Sequence, residues 1–232
     1  MHASQCDRYY VCAYNKDRTS FLNSLCDKYG SDKGEIATSG HPYDWISHSY
    51  ADFYERQFGA YRKLVTNVFE CGIGSNNPAV ASNMGADGKP GASLRVWRDY
   101  FPNAQIVGAD IDRDILFNED RIRSVFCDQT DPQTIAEMWH ALAPVKFDIM
   151  IDDGLHTYDA GACLFEHSFH MLKPGGLYII EDVLEDCLEQ FGAFLTTKRV
   201  NWDYVTLYGD GVPSMRNSLV LIRNTADLPR QA

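Results

Sequence analysis

The sequence predicts an α/β protein built on a doubly wound, mostly parallel seven-stranded sheet that ends in an antiparallel β-hairpin. Three observations carry this. From residue 64 onward, short apolar, β-branched runs alternate with amphipathic helical stretches, an order that demands a parallel sheet covered on both faces. The last two runs have no helix between them, so they must pair antiparallel. A hydrophobic share of 45% in 232 residues is enough for one full core.

The elements follow in chain order. The segment "SLCDKYGSDKGEIATSGHPYDWISHSYADFYERQFGAYRK" is rich in Tyr, Ser, Gly and His. It reads as short helices and loops over one edge of the sheet, so that residues 1–63 form a helical, aromatic cap on the domain of residues 64–232. Its one long amphipathic stretch runs from Tyr50 to Lys63. The parallel strands are "LVTNVFECG", "AQIVGADI", "IRSVFCD", "FDIMIDD" and "GGLYIIED". Helices between them are read from "SLRVWRDYF", "DRDILFN", "DPQTIAEMWHALA" and "YDAGACLFEHSFHMLKPGG", the last stopped by its Pro-Gly-Gly. After the helix "LEDCLEQFGAFLTTK" come the strands "VNWDYVTLYG" and "NSLVLIRN", joined by the turn-rich "DGVPSMR".

Charge and composition narrow the partners. With 21 basic and 32 acidic residues, a net charge of −11 and no Lys/Arg cluster, neither nucleic acid nor an anionic membrane surface is expected. No apolar run approaches the ~18–20 residues of a spanning helix, and the N-terminus has no clean apolar signal region. The seven cysteines are scattered with no C-x-x-C spacing, which predicts free thiols in a reducing compartment and a cytoplasmic protein.

In an open α/β sheet, ligands bind at the carboxyl ends of the strands. Strand one ends in "FECGIGS", where Glu70 precedes Gly72 and Gly74, a turn able to bring backbone close to a ligand. It departs from the dinucleotide fingerprint: the third glycine is replaced by Ser75, and the long loop "SNNPAVASNMGADGKPGA" delays the next helix. A nicotinamide cofactor is therefore disfavoured. Strand two ends in Asp110, with Asp112 just beyond. A carboxylate at that place suits a ribose diol, and Asp112 also fits an N-cap. Strand three ends in "FCDQTDP", where Asp128 can meet a purine amino group and Asp131 before Pro132 reads as a helix N-cap. Strand four ends in Asp152 and Asp153, with His156 three residues on.

The pattern E-x-G-x-G, an acid ending strand two, "CDQ" ending strand three and "LKPGGLYIIED" resembles the class I S-adenosylmethionine-dependent methyltransferases, whose Rossmann-like sheet also closes in a hairpin. The elements "YGSDKG", "YADFYERQF", "GASLRVWRDYFPNAQIVGADI", "DQTDP", "IDDGLHTY" and "GGLYIIED" are similar to those of the mycinamicin- and tylosin-type macrolide sugar O-methyltransferases. The resemblance implies methyl transfer to a hydroxyl of a sugar or small polar metabolite in natural-product or surface-polysaccharide biosynthesis, with Mg²⁺ and a homo-oligomer as further expectations. A phosphorylated or phosphoramidate capsule precursor is an alternative acceptor, and a non-methylating relative or a cofactor-binding accessory protein are alternative functions.

By the same resemblance, Glu70, Gly72 and Gly74 would line the methionine and ribose part of the cofactor. Asp110 and Ile111 would hold the ribose side, and Asp128 and Gln129 the adenine edge. Asp152 is either a further cofactor contact or the brace of a turn. Asp153 and Asp182 look like carboxylates that hold the metal, Glu55 like a third ligand, and His156 like the general base. The other histidines (His2, His41, His48, His140, His167 and His170) read as surface or packing residues. His41 and His48 lie in the aromatic segment where Tyr43, Trp45 and Tyr50 either pack on the core or close over an acceptor.

Overall fold

The computed structural model describes residues 8–13, 19–37, 42–208 and 217–225. The elements, in chain order, are β1 (Tyr9–Ala13), α1 (Phe21–Tyr29), α2 (Tyr50–Phe58), β2 (Asn67–Cys71), α3 (Ala92–Tyr100), β3 (Gln105–Asp110), β4 (Asn118–Glu119), β5 (Ile122–Phe126), α4 (Pro132–Leu142), β6 (Phe147–Asp152), α5 (Tyr158–Ser168), β7 (Leu172–Ile180), α6 (Glu185–Lys198), β8 (Asn201–Tyr208) and β9 (Ser218–Arg223). They form one sheet in the order β1-β8-β9-β7-β6-β2-β3-β5-β4. Strands β5, β3, β2, β6 and β7 run parallel, and β9 lies antiparallel between β7 and β8.

The expected parallel strands and closing hairpin are all present; the connection "DGVPSMR" lies outside the described residues. The sheet has nine strands where seven were expected. The aromatic, β-branched "YYVCA" of β1 adds a parallel strand beside β8, and the two-residue β4 pairs antiparallel with β5. That second pairing overturns the helix expected over "DRDILFN". Asp112 accepts from the Asp114 amide at 3.1 Å and caps a single 3₁₀ turn, Arg113–Ile115. Phe117 then donates from its backbone to Ser124 Oγ, which draws the chain to the sheet edge. The Pro-Gly-Gly expected to end helix α5 belongs instead to β7. Between the pairs Phe147–Leu172 and Ile149–Leu177, two residue steps along β6 face five along β7. Pro174 and Gly175 take up that bulge, since Pro has no ladder amide and Gly175 has φ +77°.

The pleat sorts side chains into two cores. Val68, Ile106, Ile149, Ile151 and Ile179 pack against α1, α2 and α3 through Tyr54, Phe58, Trp97 and Phe101. Phe69, Val107, Met150 and Tyr178 pack against α4, α5 and α6 through Trp139, Leu164, Phe165 and Phe191. The carboxyl ends of β2, β3, β5, β6 and β7 are left on one edge, and the chain between α1 and α2 crosses it: His48 donates from its backbone to Asp32 O and Ala51 to Lys33 O, both at 2.7 Å.

The opposite edge is tied by Asp148. Its carboxylate accepts from the amides of Thr66 and Asn67 at 2.8 and 2.9 Å and from Lys173 Nζ at 2.9 Å, joining the starts of β2, β6 and β7. Burial works to raise its pKa, but the Lys173 ammonium and the two amides outweigh it and hold it below the usual aspartate value. A depressed folded-state pKa contributes stability above the unfolded value, and that stability is lost as pH falls through the folded one. Asp148→Ala should therefore cost about 1–3 kcal/mol at neutral pH. The gap between variant and wild type in chemical denaturation should close as pH drops below ~4.

Candidate active site

One cleft of about 1170 Å³ opens over the carboxyl edge of the sheet. Its first half is built on the turn after β2. Gly72 and Gly74 both have φ +84°, where a side chain is strained, and a Cβ on Gly72 would stand 2.0 Å from Asp153 O. This close approach is locked by backbone bonds from Asp153 N to Cys71 O and from Gly72 N to Ala109 O, each 2.8 Å. Asp110 braces the same turn, accepting from Ile73 N at 2.8 Å and from Asp112 N at 2.9 Å. Burial outweighs these bonds and raises its pKa. Gly72, Gly74, Asp110, Ile111, Asp128 and Gln129 all line the cleft.

Two expected cofactor contacts are placed elsewhere. Glu70 is fully buried beneath the turn, where Trp97 Nε1 donates to it at 2.9 Å and Lys33 Nζ lies 3.1 Å away. It does not reach the cleft because its place in the β2 pleat turns it toward α3. Asp152 also stays below the cleft wall. It accepts from Gln129 Nε2 at 3.1 Å, and Gln129 Oε1 in turn accepts from Leu155 N at 2.8 Å. Asp152 is thus the brace that ties the loop after β5 to the loop after β6. Burial pushes its pKa up to about 6.

The second half of the cleft holds Asp153, His156 and Asp182, each offering one ligand atom, with the three atoms within 4.8 Å of one another. Asp153 and His156 follow β6, and Asp182 follows β7. His156 and Asp182 are both held at positive φ, +58° and +52°, an unusual conformation that turns their side chains into the cleft. His156 Nε2 lies 3.9 Å from Asp182 Oδ2, and His156 Nδ1 is buried without a hydrogen-bond partner. Two carboxylate oxygens and an imidazole nitrogen this close together suit a divalent ion. Glu55 is not brought to this group. Its carboxylate accepts from Leu22 N at 2.9 Å and from the Tyr100 hydroxyl at 3.2 Å, so it fixes the start of α1 on α2 and α3.

Lys33 and Glu181 were not singled out in the sequence, and His48 and Tyr50 were read only as part of the aromatic segment that either packs on the core or closes over an acceptor. Lys33, 3% exposed, bonds Asp153 Oδ2 at 2.7 Å and Glu181 Oε2, and lies 3.1 Å from Glu70 Oε1. Burial works to lower its pKa, but Asp153, Glu181 and Glu70 outweigh it and hold it well above the usual lysine range. One ammonium cannot neutralise three carboxylates, so burial still raises Glu70 and Glu181. The Tyr50 hydroxyl donates to Asp182 Oδ1 at 2.8 Å and accepts from Asp182 N at 3.1 Å. His48 stacks on the Tyr50 ring, with Nδ1 3.6 Å from Asp182 Oδ1. Burial opposes ionisation of Asp182, but His48, His156 and the Tyr50 bond outweigh it and lower its pKa. Tyr50 is therefore part of the floor, and Tyr43 and Trp45 line the wall. His41 lies outside the described residues. Counting acids at strand ends, each needing a cation once buried, is the signal that could have found Lys33.

No protein-family model matches the chain. The 8-demethyl-8-alpha-L-rhamnosyl tetracenomycin-C 2'-O-methyltransferase of Streptomyces olivaceus is 31% identical over 192 residues, 82% of this chain and 45% of that protein. The demethylmacrocin O-methyltransferase of Streptomyces fradiae is 33% identical over 179 residues, 76% of this chain and 42% of that protein. This chain thus spans less than half the length of these relatives. Crystal structures of the MycE methyltransferase of the mycinamycin pathway, in complex with Mg and SAH and also with mycinamycin VI, match with TM-scores of 0.63 and 0.62. They are 23% identical over 93% of this chain and 58% of that one. No helix among the described residues is long and apolar enough to cross a membrane.

Gly72→Ala is expected to force the loop after β6 away from β2. A cost of at least about 1 kcal/mol corresponds to a Tm lowered by about 2–4 °C or more for a chain of this size, read by calorimetry or circular dichroism.

Proposed function

We propose that this chain, a homologue of the sugar O-methyltransferases across the segment they share, transfers a methyl group from S-adenosylmethionine to a hydroxyl oxygen of a sugar or small hydroxylated metabolite. The observation that carries this reading is a single cleft with two halves. A glycine turn braced by Asp110 lies on one side, and Asp153, His156 and Asp182 converge on the other.

S-adenosylmethionine supplies a methyl group already activated on a sulfonium, so the remaining work is to align the acceptor oxygen and remove its proton. Gly72, Gly74, Asp110 and Ile111 would hold the methionine and ribose, and Asp128 and Gln129 the adenine, a reading supported by their common place in the cleft lining. Asp153 and Asp182 fit a divalent ion such as Mg²⁺, which when bound would lower the pKa of a vicinal diol, with His156 beside it. His156 is the group that takes the hydroxyl proton, through an imidazole nitrogen able to accept one. Tyr50 and His48 hold Asp182 in place, and Lys33 holds Asp153. The names of the relatives, a rhamnosyl 2'-O-methyltransferase among them, favour a glycosidic sugar as the acceptor.

Methyl transfer to a panel of rhamnosides and other glycosides tests the reading. His156→Ala should lower kcat by about 10²–10⁴-fold while S-adenosylhomocysteine affinity, measured by calorimetry, stays unchanged, and EDTA should abolish turnover. Full activity in His156→Ala, or turnover indifferent to the chelator, contradicts the proposed deprotonation site.

A further inference from the structure

Nδ1 of His156 and Oδ2 of Asp152 are both buried behind the cleft wall with no hydrogen-bond partner among the described residues. Both residues line a second, small cavity of about 10 Å³, walled also by Gly161, Ile180, Cys187 and Phe191. That is about the space of one water, which when buried needs at least two polar partners.

The fold fixes each wall of this cavity. Asp152 is the last residue of β6 and is buried. Its Oδ1 accepts from Gln129 Nε2 at 3.1 Å, which leaves Oδ2 facing α5, where a Cβ on Gly161 would stand 3.3 Å from it. Gly161 lies inside the helix and is not at positive φ, and alanine there would be favoured by about 1 kcal/mol on helix propensity. What the glycine supplies is therefore space: the same Cβ would stand 2.9 Å from Phe191 Cζ, and the Phe191 ring is held edge-on to Tyr158 at 5.2 Å. His156 is set by its φ of +58° and by Thr157, whose hydroxyl accepts from Ala160 N at 3.4 Å and caps α5. Its Nε2 faces the cleft, 3.9 Å from Asp182 Oδ2, too far for a hydrogen bond.

A neutral imidazole carries one N–H, and the hydrogen bond made at one ring nitrogen decides which of the two bears it. A carboxylate oxygen only accepts. A water between Asp152 and His156 must therefore donate to Oδ2, and its own lone pair is then turned to accept from Nδ1–H. We propose that Asp152 is a positioning residue for His156: through one water in this cavity it keeps the ring proton on Nδ1 and leaves the Nε2 lone pair facing the cleft. This rests on the general-base reading of His156 proposed above and assigns the group behind the base. With the opposite tautomer, Nε2 would carry the proton and could not take one from an acceptor hydroxyl.

Long-range proton–nitrogen NMR of the full chain with Mg²⁺ present, at a pH of about 8 where an ordinary histidine is neutral, reads the tautomer without any turnover. The His156 signals are assigned by their loss in His156→Ala, and wild type should show the proton on Nδ1. In Asp152→Asn the amide can keep its oxygen on Gln129 and turn its NH₂ to the water, which then donates to Nδ1, so the proton should move to Nε2. In the same variant kcat should fall by about 10–100-fold, as for loss of a group that orients a functional histidine, while S-adenosylhomocysteine affinity stays unchanged. A proton on Nε2 in wild type, or an unchanged tautomer in folded Asp152→Asn, overturns the inference. Where Asp152→Asn does not fold, Gly161→Ala decides: it fills the cavity with Asp152 in place and should release the proton from Nδ1, and an unchanged tautomer there also overturns the inference. Full turnover in His156→Ala overturns the base reading alone, and the tautomer still decides whether Asp152 sets the ring.

Discussion

Four carboxylates, Glu70, Asp153, Glu181 and Asp182, stand at the ends of three adjacent parallel strands, and none can be charged there without a counter-charge. The ammonium of Lys33 meets three of them, and His48, His156 and Tyr50 surround the fourth. Much of the molecule's less regular anatomy serves this constraint. The chain between α1 and α2 crosses the sheet edge to deliver Lys33 and His48. Helix α2 then presents Tyr50 and Tyr54, four residues apart on one face, to Asp182 and Glu181. The N-terminal segment therefore supplies part of the site floor.

The other half of the cleft uses backbone more than charge. Two glycines at positive φ let the loop after β2 pass against the loop after β6 with no side chain between them. Asp110 ties the turn to β3, and Asp152 and Gln129 tie β5 to β6 beneath it. A cofactor entering such a site meets a surface already fixed by hydrogen bonds, which is the condition for aligning two reactants without a large ordering cost. The two halves share a wall at Asp153 and Gly154. On the proposed function, that shared wall would set a methyl donor in one half against a hydroxyl in the other.

Much of this was legible in the sequence. Alternating runs and helices named the parallel strands in order, and acids at their ends marked the right edge of the sheet. The separation of Asp153 and His156 by three residues, beside Asp182 on the next strand, foretold the trio. What period and spacing could not decide was which of two adjacent acids faces the cleft. Asp152 is still inside β6 and follows its pleat into the core, whereas Asp153, one residue past it, escapes. Glu181 stays buried, and Asp182 reaches the cleft through a positive φ that no local pattern signals. Glu55 looked like a ligand through the family resemblance of "YERQF", but its position on α2 points it at α1 and Tyr100. Lys33 lies 120 residues from Asp153 in the chain, and only the charge balance of the finished fold connects them. The short "DRDILFN" failed as a helix because a single capped turn leads straight back into the sheet.

The central claim is that the glycine-lined half of the cleft is an S-adenosylmethionine site. Calorimetric titration of the chain with S-adenosylhomocysteine, beside an Asp110→Ala variant shown by circular dichroism to be folded, tests it most directly. The account predicts saturable binding of one equivalent by the wild-type chain and weaker binding by the variant. Absence of binding to the wild-type chain, or equal affinity in the two, would contradict it.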